Sequence, residues 1–235
     1  MASNLISKLM FPGAYLAPYD FTKIYPEGEV LGSQGNTTIR VRFVHLPYQG
    51  SKDVLFYVPE NSATLKTLKD FLPKLRDSMK MNVAAFEYPS DPEEKNVNTA
   101  MSIIYAKLNK MGYQPGNVVM WARGIGTGPA CWLGSKFKAK GVVLINAYLS
   151  VQEAAKSAMP SATGVPNLWD NKEQVKKIKS PVWFFHAEKN DKLPFEHSKG
   201  LNDLCPSDKK FIRLVLGKDQ ASLDELTDVV PYVQF

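Results

Sequence analysis

The residues whose spacing most clearly suggests chemistry are Trp121-Ala122-Arg123-Gly124-Ile125-Gly126-Thr127-Gly128-Pro129. They read as a tight strand-to-helix turn of the kind in which a G-x-S-x-G pattern lifts a serine hydroxyl clear of a sheet to attack an acyl carbon. Gly124 stands at the serine position, and glycine has no oxygen to attack with. Cys131 falls about two helical turns further on, where a buried structural thiol is expected. Thr127 reads as a capping hydroxyl at the helix start. Gly124, Gly126 and Gly128 are spaced G-x-G-x-G. That pattern lacks the last step of the dinucleotide fingerprint and lies at an interior turn, so no nucleotide cofactor is expected. The three histidines, His45, His186 and His197, and the two cysteines, Cys131 and Cys205, lack metal-ligand spacing, so no metal is expected either. The histidines read as satisfied structural or surface rings.

The turn needs a frame. The apolar run 118–121 supplies the strand before it, and residues from Pro129 through Cys131 and Leu133 the helix after it. Upstream, residues 38–44 alternate polar and apolar, which predicts a half-exposed edge strand. The continuous run 54–58 predicts a strand covered on both faces. Leu65, Leu68, Leu72 and Leu75 fall at helical spacing, followed by a strand at 83–86 and a helix carrying Ala100, Ile103, Ile104 and Leu108. Strands at 142–145, 181–185 and 211–216 follow, with a helix at 195–204 and a last helical segment from Ser222 interrupted by Pro231. Strand–helix alternation over most of the chain predicts an α/β fold: a mostly parallel sheet with helices on both faces.

Residues 1–30, rich in proline and aromatics such as Phe11, Tyr15, Tyr19, Phe21 and Tyr25, read as an extended arm on the body. Residues 31–235 read as one domain, with a small helical excursion at 151–179 as a minimal cap. With 235 residues, 44% hydrophobic and 22% charged, the chain can bury a large single core. Two cysteines give no disulfide framework, which favours a reducing, intracellular compartment and makes the sequon Asn36-Thr37-Thr38 uninformative. No apolar stretch is long enough for a signal peptide or a membrane span, and position 2 is not the glycine that myristoylation requires. The net charge of +6 comes from scattered lysines, a basic face that could meet an acidic partner; no nucleic-acid motif is present.

Three segments in the right order carry a resemblance: Asn82-Val83-Ala84-Ala85-Phe86-Glu87-Tyr88-Pro89, residues 123–129, and residues 175–186 continuing through 193–201. From about Phe11 onward the chain resembles the α/β-hydrolases of the depalmitoylase-like serine hydrolase branch, which implies the α/β-hydrolase fold. The resemblance places the nucleophile at Gly124 and the acid at Asn190, in the loop after the strand ending near Phe185. It places the base at Gln220, in the loop after the last strand. An amide cannot shuttle a proton, and Asn190 cannot stabilise an imidazolium as a carboxylate does. The oxyanion loop corresponds to Tyr57-Val58-Pro59-Glu60-Asn61, where Pro59 has no N–H to donate and Glu60 brings negative charge.

With Gly124, Asn190, Gln220, Val58 and Pro59 all departing from the pattern, the expectation is a non-enzyme: a scaffold or interaction subunit of a larger intracellular assembly, cytoplasmic, cytoskeletal, ciliary or organellar. A binder of an acyl or ester ligand is the second reading and a residual esterase or thioesterase with a displaced nucleophile the third. A histidine ring within bonding reach of a serine, threonine or cysteine at the carboxyl edge of the strands would undo the expectation of inertness.

Overall fold

The structure is a computed structural model and describes residues 10–15, 19–32, 39–60 and 62–235. The start of the chain, Pro18, the sequon at 36–38 and Asn61 lie outside the described residues. Eight strands form one sheet: β1 (Glu29–Gly32), β2 (Arg40–Leu46), β3 (Val54–Val58), β4 (Asn82–Phe86), β5 (Val118–Arg123), β6 (Gly141–Ile145), β7 (Val182–Ala187) and β8 (Lys210–Val215). Their order is β1-β2-β4-β3-β5-β6-β7-β8. β1 and β2 pair antiparallel with each other, β2 pairs antiparallel with β4, and every other pairing is parallel.

The central strands form because their runs are apolar throughout. β3, β4 and β6 are buried along their whole length, as parallel strands covered on both faces must be. Alternate side chains serve opposite layers: Val54, Phe56 and Val58 enter one core, Leu55 and Tyr57 the other. The helices are α1 (Phe21–Ile24), α2 (Phe71–Met79), α3 (Glu94–Lys110), α4 (Thr127–Lys136), α5 (Val151–Ala158), α6 (Asn171–Val175) and α7 (Glu196–Leu204). α3 lays Val97, Ala100, Met101, Ile104, Tyr105 and Leu108 on the first core, alongside α4. α2 and the C-terminal turns cover the other, through Leu72, Leu75, Leu223, Val229 and Val233. The excursion between β6 and β7 holds α5 and α6, with α5 capped by Ser150, whose hydroxyl oxygen accepts the Glu153 N–H.

Three local expectations are corrected. β2 is no edge strand: β1 pairs on its outer side, and Arg40 and Arg42 are polar because their side chains line a cleft. The residues read as an extended arm contribute α1 and β1 as well, and bury Phe11, Phe21 and Tyr25. Leu65 and Leu68 precede α2 in turns, although both are buried against its core.

Candidate active site

The turn between β5 and α4 is a strand-to-helix elbow. Gly124 adopts φ +54°, a left-handed conformation natural to glycine and strained for other residues. Its carbonyl accepts the Thr127 hydroxyl at 2.8 Å, and the Ile125 carbonyl accepts the Tyr148 hydroxyl at 3.1 Å. The Thr127 hydroxyl therefore donates backward into the turn and does not cap the helix, which corrects that expectation. Gly126 is required by close approach. A Cβ there would lie 2.5 Å from the Val58 carbonyl oxygen and 2.6 Å from that of Pro59, so the loop after β3 presses directly on the elbow. Tyr88 fixes that loop by donating its hydroxyl to the Pro59 carbonyl at 2.6 Å.

A Cβ on Gly124 would meet nothing closer than Glu60 Cβ at 3.6 Å and Gln220 Nε2 at 3.9 Å. The loop after β8 is thus brought to the serine position, with the Gln220 amide facing it. Arg123 holds that loop. Its guanidinium donates to the Gln220 carbonyl at 2.5 Å, to the Leu223 carbonyl at 3.2 Å and to Glu225 at 3.3 Å, and lies 3.3 Å from Glu60. Glu225 is buried and also accepts from Trp121 Nε1 at 2.5 Å and the Tyr57 hydroxyl at 3.0 Å. Burial pushes the Glu225 carboxyl above its ordinary value, although Arg123 and the Trp121 and Tyr57 donors pull against it. Burial opposes the charge of Arg123 too, but Glu225 and Glu60 outweigh it and raise its pKa. Sequence reasoning assigned no role to Arg123 or Glu225. The signal was an arginine ending an otherwise buried strand, where a charge must find a partner.

Asn190 is buried after β7, but its side-chain oxygen accepts the Leu193 N–H at 3.1 Å within its own loop. Its amide nitrogen has no partner among the described residues. Cys131 and Cys205 are both buried free thiols, and burial pushes the Cys131 thiol far up.

Two histidines do contact serines. His186, at the carboxyl end of β7, places Nδ1 2.7 Å from Ser198 Oγ and Nε2 2.7 Å from the Leu193 carbonyl. The carbonyl requires a proton on Nε2, so a neutral ring accepts the Ser198 hydroxyl at Nδ1. Both groups are fully buried, and burial lowers His186 to about 4. His197 Nε2 lies 2.9 Å from Ser157 Oγ in a cleft of about 430 Å³, while its Nδ1 accepts the Leu149 N–H at 3.2 Å. That backbone bond leaves the ring proton on Nε2, pointing at the serine. His45 contacts the Tyr113 hydroxyl at 2.8 Å.

Sheet order, elbow and the loops converging on it define an α/β-hydrolase fold. The relatives agree. Alpha/beta hydrolase domain-containing protein 17C of Xenopus laevis is 23% identical over 166 residues, 67% of this chain and 52% of its own length. Alpha/beta hydrolase domain-containing protein 17B of Homo sapiens is 24% identical over 164 residues, 66% of this chain and 56% of its own length. The chain therefore spans about half the length of these curated relatives. Among solved structures, Est1E from Butyrivibrio proteoclasticus superposes with a TM-score of 0.67 at 10% identity, covering 87% of this chain and 94% of that one. No family model matches. These hydrolase relatives point to an enzyme and correct the expectation of a non-enzyme. Among the described residues no helix is long and apolar enough to cross a membrane.

Proposed function

We propose that the chain cleaves an acyl ester or thioester by direct attack of water, held where a serine hydroxyl would stand, with Glu60 as the base. One observation carries this reading. Glu60 Cβ and the Gln220 amide nitrogen flank the Gly124 position at 3.6 and 3.9 Å from a Cβ there, and the Glu60 carboxylate rests 3.3 Å from Arg123, the residue that ends β5 just before it. A serine pattern is absent, but the left-handed elbow at Gly124 and its converging loops are present. In this mechanism Glu60 takes a proton from water as the oxygen bonds to the acyl carbon. The base is neutral by the time the oxyanion forms, so its carboxylate does not oppose that charge. As the tetrahedral species collapses, the bond to the leaving oxygen or sulfur breaks and the leaving group takes the proton back from Glu60. Gln220, which cannot act as a base, orients the water. Purified protein should hydrolyse p-nitrophenyl acetate with no burst and no acyl adduct in its intact mass, since no covalent intermediate forms. A burst with an adduct, or no turnover above buffer, overturns the proposal.

A role as an interaction subunit is a second, compatible reading. It is supported by exposed apolar residues on and just past β8, the outer strand: Phe211 near its start and Leu216, 71% exposed, just after its end. The scattered lysines suit an acidic protein surface, and two free thiols suit a reducing compartment. Co-purification from native cells, compared with a Leu216→Asp variant, tests it; a protein that elutes without companions in both forms counts against this role.

A further inference from the structure

A cleft of about 730 Å³ lies at the carboxyl edge of the sheet, apart from the elbow but sharing a wall with it. Because β2 runs antiparallel to β4, its first residues stand beside those that follow β4. Arg40 and Arg42 therefore face the cleft together with Glu87 and Tyr88, and Lys66 enters from the segment after β3. Arg42 is committed to Glu87 at 2.9 Å. Among the described residues, Arg40 and Lys66 form no ion pair, and both are exposed. Three cations against the one carboxylate of Glu87 leave a surplus of two positive charges. The Ser90 hydroxyl adds a neutral donor on the same lining. Tyr88 is the shared wall, since its hydroxyl holds the Pro59 carbonyl that presses on Gly126.

We propose that this cleft binds a phosphate group carried by the substrate, so that the phosphate docks beside β2 and β4 while the acyl bond reaches Gly124. A phosphomonoester carries close to two negative charges near neutral pH, which matches the surplus, and its oxygens suit an arginine fork next to an ammonium. The inference rests on the hydrolytic reading of the elbow, but its binding half can be tested separately. Inorganic phosphate, titrated into labelled full-length protein, should shift the Arg40 side-chain resonance in an NMR spectrum. Arg40→Gln combined with Lys66→Gln should weaken binding at least about tenfold while leaving hydrolysis of uncharged p-nitrophenyl acetate unchanged. Unchanged phosphate affinity in that double variant, or no binding to the wild type, overturns the site.

Flotation with phosphatidylcholine vesicles, with and without phosphatidic acid, separates a soluble from a lipid source. Binding to the acidic vesicles that soluble phosphate competes away assigns a lipid phosphate and supports the site. Vesicle binding indifferent to soluble phosphate overturns it. Phosphate binding without ester turnover would sink the hydrolytic reading and leave the anion site standing.

Discussion

Placing a serine at position 124 tests the geometry of the elbow. The backbone there has φ +54°, so any side chain pays for a left-handed conformation at about 1–2 kcal/mol. The Cβ itself has room, with no neighbour closer than 3.6 Å. For a domain of this size each kcal/mol moves Tm by roughly 2–4 °C, so Gly124→Ser should fold and melt about 2–8 °C lower. Its hydroxymethyl group would fill the space of one water, about 30 Å³, and Gln220 Nε2, 3.9 Å from the Cβ, can only donate. Steady-state cleavage of p-nitrophenyl acetate should therefore fall by about tenfold or more, equivalent to roughly 1.4 kcal/mol, and a fluorophosphonate probe should label the variant poorly. Adding Gln220→His puts an imidazole where the amide stands and should restore labelling. Turnover by Gly124→Ser at or above the wild-type rate, or labelling as fast as in the double variant, would refute the placement of Gln220 and the role of water.

Three further outcomes follow from packing and burial. Gly128→Ala should destabilise the protein by about 1–3 kcal/mol, because its Cβ would run into the Tyr148 hydroxyl and lie 2.8 Å from Trp169 Cγ; thermal melting reads this. His186 is held near 4 when folded against 6.5 when free, so below about pH 6.5 the unfolded chain binds a proton that the folded ring refuses. Stability should be full above that pH and fall by about 3 kcal/mol toward pH 4, with a flatter urea-denaturation profile in His186→Gln. Cys131 should resist iodoacetamide in the native state and react only on unfolding, because its thiol is buried and its pKa raised.

How far each feature could be read from the chain depends on whether its cause is local. The runs of β3, β4 and β6 announce themselves because burial on both faces demands apolar residues at every position. β1 did not, since Glu29–Gly32 is short, largely exposed and defined only by its partner β2. The nearness of Gln220 to Gly124 follows from chain order, because loops after parallel strands gather at one edge of the sheet. The Arg123–Glu225 pairing spans 102 residues and exists only once the C-terminal turns close over the elbow. Ser157 and His197 likewise meet across 40 residues, on two helices, α5 and α7, whose composition says nothing of the contact. The expectation of inertness weighed the missing serine and histidine, and gave Glu60 only its repulsive role because its position over Gly124 was set by tertiary structure.

The most direct measurement is kcat/KM for p-nitrophenyl acetate in wild type and Glu60→Gln, purified identically and matched by melting temperature. Glu60 is paired with Arg123 but partly exposed, so its loss should cost no more than about 1 kcal/mol of stability. As the base it should cost about 10²–10⁴ in rate. Such a fall with Tm nearly unchanged is the predicted result, and a variant that cleaves the ester as fast as the wild type contradicts hydrolysis by water at Gly124.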